Sequence, residues 1–170
     1  LVVYIVQIGE KGNLENFGFR AVTWSDFPKG ILVCLATLAI VIPLQAAIGS
    51  GNAGEPTFVW TFSDLALAPL VLAATMAAAY REEVFFRAYA ATRLRQLGSP
   101  DVLAVIGPSI VFGLGHVYQG VGGFLTAAVI GLLMGAVFVR TNNLHALGIG
   151  HGLYNFVVLI AGSESAWIPG

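Results

Sequence analysis

Residues 77–95 read AAAYREEVFFRAYAATRLR and place a cluster of charge inside an apolar sequence. Alanines lead into the adjacent acids Glu82 and Glu83, Arg87 follows, and the chain then becomes apolar and aromatic again. The stretch reads as one continuous helix, which Gly and Pro in the segment GSP at 98–100 end. The question it raises is why an otherwise hydrophobic chain keeps so many charged side chains in one helix.

The composition around this helix indicates a membrane protein. Of the 170 residues, 57% are hydrophobic and 10% are charged, whereas a soluble domain carries about 25% charged residues. Asp, Glu, Lys and Arg are absent from 30–54, 102–139 and 141–163. A membrane-spanning helix needs roughly 20 apolar residues. The sequence therefore predicts an all-α, polytopic transmembrane helical bundle.

Five complete spans are predicted, at about 30–48, 64–97, 101–118, 121–139 and 144–161. The apolar start LVVYIVQI predicts the end of a truncated span, and it forms, with an interfacial linker, a segment over 1–29; the bundle covers 30–170. Gly131 and Gly135 lie four residues apart, a spacing that favours close helix packing. The single cysteine, Cys34, cannot form an internal disulfide.

The basic residues predict the orientation of the bundle. If the spans alternate, all eight lie on or near one side: Lys11, Arg20, Lys29, Arg81, Arg87, Arg93, Arg95 and Arg140. By the positive-inside rule that side is cytoplasmic. The formal net charge of −1 suggests no nucleic-acid partner.

Two interpretations of the charged helix are open from this stretch alone. Ionisable residues at membrane depth are costly and indicate function; alternatively, the span ends near Tyr80 and the acids lie in an interfacial turn. Glu83 and Arg87 are four residues apart, so they share a helix face and can pair. Glu82 is rotated by about 100° from Glu83 and is left to face something else. A carboxylate in an apolar cavity can act as a general base.

The histidines supply a second set of candidates. His116 closes FGLGH in the third span, and His151 opens HGLYN in the fifth, with Asn155 one turn further on. Polar side chains inside apolar spans need partners, so they suggest convergence, although interhelical hydrogen bonds that only hold the bundle are an alternative. His145 is expected at the membrane interface and outside the site.

The three motifs EEVFFR, FGLGH and HGLYN, in this order on three spans, resemble the CPBP family. This is the CAAX prenyl endopeptidase and bacteriocin-processing family, also called Abi, of membrane-embedded proteases. The resemblance covers roughly residues 65–162 and implies a bundle with a catalytic cavity open towards the cytosol. It implies that Glu82 and His116 activate a water, that His151 and Asn155 stabilise the oxyanion, and that Glu83 and Arg87 orient and neutralise.

Metal dependence is left open by the resemblance. The chain lacks an HExxH motif, but Glu82, His116 and His151 would suit an open zinc site with two histidines and one glutamate. The same three residues would equally hold a water without metal. A further difficulty is depth: His116 is predicted near the non-cytoplasmic end of its span and Glu82 nearer the cytoplasmic end, so a kink at Pro108 or deeper insertion of the charged helix must bring them together.

The leading functional prediction is an intramembrane endopeptidase that acts on a membrane-adjacent peptide, either a CAAX-type tail or a bacteriocin- or leader-like peptide. A small, loop-poor chain suggests a bacterial plasma membrane. The alternatives are a non-enzymatic immunity or scaffold protein and a proton-coupled transporter. Transporters commonly show paired repeats with broken helices, and none is recognised in this sequence.

Overall fold

The computed structural model describes residues 14–48 and 65–165, with side chains through residue 161, and within these ranges every regular element is helical. This confirms the predicted all-α bundle. The apolar segment predicted to end a truncated span and the Gly- and Ser-rich loop after the predicted span at 30–48 lie outside the described residues.

Five main helices form the bundle. They are α1 (Asp26–Ile48), α2 (α-helical at Ala68–Glu83, π-helical at Val84–Ala91 and α-helical again at Thr92–Gln96), α3 (Asp101–Leu114), α4 (Gly120–Thr141) and α5 (Leu144–Ser165). Short 3-10 turns occur at Leu14–Phe17, Leu65–Leu67 and Val117–Gln119. These bounds agree with the predicted spans to within a few residues.

Three helical segments are long and apolar enough to cross a membrane: Asp26–Ile48, Val117–Thr141 and Leu144–Ala161. The segment Asp101–Leu114 is apolar but shorter, and α2 carries charge at its centre. Three of the five predicted spans are thus confirmed by length and composition, and the chain is an integral membrane protein. The remaining two helices are α2, which carries charge at its centre, and α3, which is shorter than the three others.

Helix α2 continues past the acidic pair without a break. Its first part ends at Glu83, and the backbone passes directly into the π-helical segment Val84–Ala91 and then to Gln96. The two acids therefore lie within a continuous helix and not in a turn at its end. π-helical segments are rare and frequently occur at functional sites, and this one begins immediately after the two glutamates.

The helices pack in two groups. Helix α5 packs against both α1 and α2, and α3 packs against α4, while α2 also contacts α3 through its π-helical segment. The buried apolar residues that join these groups include Phe112, Ile130, Met134, Phe138 and Leu147. Helix α5 is therefore central, and it can present its side chains directly to α2.

The predicted packing face on α4 is confirmed. A Cβ added at Gly131 would lie 2.9 Å from Ser109 Cβ, and one added at Gly135 would lie 3.1 Å from Val105 Cγ1. Both neighbours belong to α3, so the absence of side chains at these positions allows α3 and α4 to approach closely.

The segment before α1 is bound to the turn between α4 and α5. The backbone N–H of Thr23 donates to Asp26 Oδ2 at 2.8 Å, and Asp26 also accepts from Asn143 Nδ2 at 3.0 Å and from Arg20. His145 Nε2 lies 2.6 Å from the Arg20 carbonyl oxygen and donates to it. The start of α1 and the α4–α5 turn therefore lie at the same end of the bundle.

Candidate active site

A buried ion pair lies at the middle of α2. Glu83 is fully buried and Arg87 is 2% exposed. Arg87 Nη1 donates to Glu83 Oε1 at 3.1 Å, one turn apart on the same helix. The pairing that the spacing predicted is therefore present. A buried charge of either sign is costly without its partner, so the two side chains are mutually required.

Arg87 also connects α2 to its neighbours. Its Nη2 donates to the carbonyl oxygen of Gly131 on α4 at 3.3 Å. Its guanidinium carbon lies 5.0 Å from the centroid of the Phe112 ring on α3, within the range of a cation–π contact. Arg87 therefore links Glu83, on its own helix α2, to α3 and α4.

His151 is the second partner of Glu83. Its Nδ1 lies 2.8 Å from Glu83 Oε1, and the imidazole is 3% exposed. Because a carboxylate can only accept, Nδ1 carries the hydrogen and Nε2 is the nitrogen that faces elsewhere. Nε2 lies 3.7 Å from Glu82 Oε2. His151 therefore stands between the two adjacent glutamates, bonded to one and facing the other.

Glycines on either side of His151 bring α5 close to α2. A Cβ at Gly148 would lie 2.7 Å from Tyr80 Cζ, and one at Gly152 would lie 3.0 Å from Met76 Cα. Real Cβ atoms essentially never come as close as the first distance, and the second is tighter than nine in ten real Cβ contacts. The sequence GIGHGLYN therefore delivers its histidine to Glu83 because its small residues remove the steric obstacle.

His116 is held by its own helix end. It follows Leu114, the last residue of α3, and its Nδ1 donates to the carbonyl oxygen of Phe112 at 2.8 Å. The two rings lie 4.7 Å apart between centroids. With Nδ1 engaged, Nε2 is the nitrogen that can serve a ligand. Both site histidines are thus fixed in the same way, through Nδ1.

Glu82 and His116 line one cavity of about 770 Å³. Its walls are mostly apolar and aromatic, and they include Tyr80, Phe86 and Phe112. An apolar cavity with a few converging polar groups is the usual form of a ligand site. The cavity therefore brings together the two residues that the family resemblance assigns to water activation.

The expected difference in depth between these two residues is not found. Glu82 lies near the middle of α2 rather than near one end, since the helix extends from Ala68 to Gln96. Glu82 lies before the 97–100 turn and His116 lies after it, at similar numbers of residues from the turn. At 1.5 Å per residue, each is about 20 Å along its helix from the turn. A short α3 and a long α2 therefore place both side chains at the same level, and a kink at Pro108 is not needed.

The other predicted residues lie beside the cavity and do not line it in the part of the chain that the structure describes. His151 lies behind Glu82, in contact with Phe112 at 6.0 Å between ring centroids. Asn155 is half-buried one turn further along α5, and its side chain makes no hydrogen bond with the described residues. His145, which was expected at the membrane interface, lies 3.3 Å from the hydroxyl of Tyr80, a residue that lines the cavity.

The three predicted zinc ligands are not grouped around one point in the part of the chain that the structure describes. Among the described residues, no three His, Cys, Asp or Glu side chains are placed to hold one ion. The Nδ1 atoms of His116 and His151 are bonded within the protein, so each histidine has Nε2 to offer to an ion. Glu83 lies nearer to His151 than Glu82 does, at 2.8 Å against 3.7 Å. The zinc set of Glu82, His116 and His151 stays a prediction that this geometry does not support.

Comparison with known proteins agrees with the three motifs. Residues 64–157, more than half of the chain, match the family described as type II CAAX prenyl endopeptidase Rce1-like. No curated protein and no solved structure matches the chain significantly. The matched region begins just before α2 and ends within α5, so it contains every residue of the site described above. The chain belongs to the Rce1-like family of type II CAAX prenyl endopeptidases, and it is a membrane-embedded endopeptidase of the CAAX type.

Proposed function

We propose that Glu82 is the general base of a peptide hydrolysis in the 770 Å³ cavity, and that it removes a proton from a water held between its carboxylate and His116 Nε2. The observation that carries this proposal is the division of roles between the adjacent glutamates. Glu83 is buried and bonded to Arg87 and His151, whereas Glu82 faces the cavity. Only Glu82 is therefore available to a substrate water.

The chemical steps follow from the placement of these groups. The water oxygen attacks the carbonyl carbon of the peptide bond as its proton passes to Glu82, and a tetrahedral oxyanion forms. Collapse of this intermediate breaks the C–N bond, and Glu82 returns the proton to the leaving amine. The products are a new carboxylate and a new amine, so no co-reactant other than water is required.

His151 and Asn155 are the proposed oxyanion donors. To donate from Nε2 while its Nδ1–H remains bonded to Glu83, His151 must carry a hydrogen on both ring nitrogens. Asn155 adds its side-chain amide from the next turn of α5. A donor that is fixed before the reaction, as His151 is by its bond to Glu83, stabilises developing charge in a site of low dielectric constant without a reorganisation cost.

The proposed substrate is a membrane-adjacent peptide, either a CAAX-type tail or a leader- or bacteriocin-like peptide, which reaches the cavity from the cytoplasmic side of a bacterial plasma membrane. The apolar and aromatic lining, including Phe85 and Phe86, supports an amphipathic or apolar substrate segment. The cavity also suits an extended peptide in size, because ligand pockets are typically about 300–1,000 Å³.

The test is peptide cleavage by the purified protein in H₂¹⁸O, with products identified by mass spectrometry. Attack by water predicts one ¹⁸O in the newly formed carboxyl group, and added hydroxylamine should produce no hydroxamate because no acyl-enzyme forms. Trapping of a hydroxamate would contradict the proposed water attack. Failure to cleave any membrane-adjacent peptide would contradict the proposed activity.

A further inference from the structure

A second recess lies near the turn between α4 and α5, and the mechanism above does not use it. Its volume is about 560 Å³, and it is lined by side chains of α1 and α4, together with residues from the segment before α1 and around the α4–α5 turn. We refer to it as the α1–α4 groove; its lining includes Arg20, Lys29, Ala36, Leu133, Val137 and Thr141. No described residue lines both this groove and the catalytic cavity, so the groove is a separate site.

The groove is polar at one end and apolar along its length. Lys29, near the start of α1, and Thr141, the last residue of α4, lie at the same end of the bundle, because the start of α1 is bonded to the α4–α5 turn. From this end the lining continues along α1 to Ala36 and along α4 through Val137 to Leu133. At 1.5 Å per residue, these apolar walls extend for about 10–12 Å.

The charged side chains that line the groove, within the described residues, are both cations. Lys29 is exposed, and its described hydrogen bond goes to the Ser25 hydroxyl at 3.3 Å and not to a carboxylate. Arg20 is paired with the buried Asp26, and it also donates to the Ala21 carbonyl oxygen at 2.9 Å. A guanidinium has more N–H donors than these described bonds use, so Arg20 can also donate to a bound anion. The polar end is therefore suited to an anionic group.

We propose that the α1–α4 groove binds one anionic phospholipid. Its phosphate contacts Lys29 and Arg20, and one acyl chain lies against Ala36, Leu133 and Val137. Both walls belong to helical segments that are long and apolar enough to cross a membrane, so the groove is accessible to lipid. Basic pockets between membrane helices on the cytoplasmic side bind anionic head groups, and the positive-inside rule predicts that this end of the bundle is cytoplasmic.

The apolar walls distinguish a phospholipid from a free phosphate. A free phosphate would occupy the polar end alone and leave the walls uncovered. Leu32, which also lines the groove, is 66% exposed, and an acyl chain can cover it through van der Waals contacts. The bound lipid also joins Arg20, which precedes α1, to Lys29 and to the end of α4. Because it binds the folded state, it should stabilise that state.

The experiment measures lipid binding to the purified protein in detergent by native mass spectrometry. The probes are phosphatidylglycerol and phosphatidylcholine with identical acyl chains, so that they differ in the head group and its net charge. The wild type should bind phosphatidylglycerol about fivefold more tightly, the effect of one basic residue near an anionic head group. Phosphatidylglycerol should also raise the temperature of thermal unfolding more than phosphatidylcholine does at the same concentration.

Two variants separate the polar end from the apolar walls. Lys29→Gln should bring the affinity ratio of the two lipids close to one, whereas Arg140→Gln, which removes an exposed cation outside the described lining, should keep it. Ala36→Phe fills the space of the acyl chain, so the bound-lipid peak should be lost for both lipids. Ala39→Phe, at an exposed position of the same helix, is its control and should bind as the wild type does.

Equal binding of the two lipids by the wild type, or a preference that survives Lys29→Gln, would overturn the inference. Unchanged lipid binding by Ala36→Phe would place the acyl chain elsewhere and would also overturn it. Excess inorganic phosphate is the last probe, and it should leave phosphatidylglycerol bound. Displacement of the lipid by phosphate would identify the polar end as a site for a free anion instead.

Discussion

At the scale of single residues, the site depends on one carboxylate oxygen that accepts hydrogen bonds from two donors. Glu83 Oε1 accepts from Arg87 Nη1 and from His151 Nδ1, at 3.1 and 2.8 Å. The first bond neutralises a buried cation, and the second fixes which imidazole nitrogen faces Glu82. Stability and catalysis therefore depend on the same atom, and suitable substitutions should separate the two.

Removing one member of the buried pair should destabilise the protein, and removing both should not. Glu83→Gln leaves Arg87 buried without its counter-charge, which costs about 3–5 kcal/mol. Glu83→Gln combined with Arg87→Met should recover most of that loss, since a buried ion pair can be replaced by apolar groups at little cost. The double variant should remain inactive, because His151 then lacks its carboxylate. Thermal unfolding in detergent and peptide cleavage measure the two effects.

As a control for this pair, Arg95→Gln removes an exposed cation that contacts Asp101 at 2.8 Å. Its effect on stability should be below about 1 kcal/mol, as is usual for surface ion pairs. A double variant that unfolds as readily as Glu83→Gln, or that cleaves peptide at the wild-type rate, would contradict the separate roles.

Asn155 lies beside the cavity and not among its described lining residues, and its role has a direct test. If its amide donates to the oxyanion, Asn155→Ala should lower kcat by about 10²–10³-fold, the usual effect of losing one such donor. Because the side chain makes no hydrogen bond with the described residues, folding should be unaffected. A variant that retains kcat would remove Asn155 from the mechanism and leave His151 as the donor.

The sequence predicted much of this residue-level arrangement. The spacing of Glu83 and Arg87 is sufficient to predict their pairing, because both lie on one helix. The bond between His151 and Glu83 depends on how α5 packs against α2, and local spacing contains no information about that. The glycines at 148 and 152 were the available signal, since alternating small residues around a histidine favour close approach of another helix.

At the scale of helices, the contact between α3 and α4 is the most sensitive to side-chain size. Gly131→Ala would place a Cβ 2.9 Å from Ser109 Cβ, so the helices must separate. We expect a loss of about 1–3 kcal/mol from overpacking. Activity should fall further, because the Gly131 carbonyl also accepts from Arg87. Thermal unfolding and cleavage rates measure both.

The neighbouring Leu132 provides the matched control, because it is on the exposed side of α4. Leu132→Ala should change stability little. If Gly131→Ala is as stable and as active as Leu132→Ala, the close packing of α3 and α4 does not position Arg87. The packing motif was visible in the sequence, but the identity of the partner helix was not.

One element-level feature was missed although its signal was present. The sequence TWSD at residues 23–26 has the spacing of a capping box, in which the side chain at the fourth position accepts from the backbone N–H of the first. The structure shows this bond between Thr23 and Asp26. The Asp26 carboxylate also accepts a hydrogen bond from Asn143, and this bond joins two distant parts of the chain. Sequence spacing alone does not indicate such a contact.

At the scale of the whole molecule, the short α3 and long α2 determine where the site lies. Both Glu82 and His116 are about 20 Å from the turn that joins their helices, at 1.5 Å per residue. The predicted difference in depth arose because Glu82 was placed nearer the cytoplasmic end of its span and His116 near the non-cytoplasmic end of the next one. The lengths of consecutive helices were a better guide, and they were available from the sequence.

The predicted opening of the cavity to the cytoplasm can be tested by labelling. Cys34 is buried and is the single cysteine, so background labelling is low. Ala77 is exposed and lines the cavity. A charged, membrane-impermeant maleimide should react with Ala77→Cys from the cytoplasmic side in oriented vesicles. Leu103→Cys, exposed on the outer surface of α3, is the control expected to stay unreactive if it faces lipid. Reaction of Ala77→Cys only from the opposite side would reverse the orientation.

The most direct test of the central claim is the cleavage rate of Glu82→Gln. This substitution preserves the shape of the side chain and removes its basicity, and Glu82 takes no part in the buried ion pair. We expect peptide cleavage to fall by about 10²–10⁴-fold, the contribution of a general base, while thermal unfolding stays close to that of the wild type. Cleavage within tenfold of the wild-type rate would show that another group activates the water.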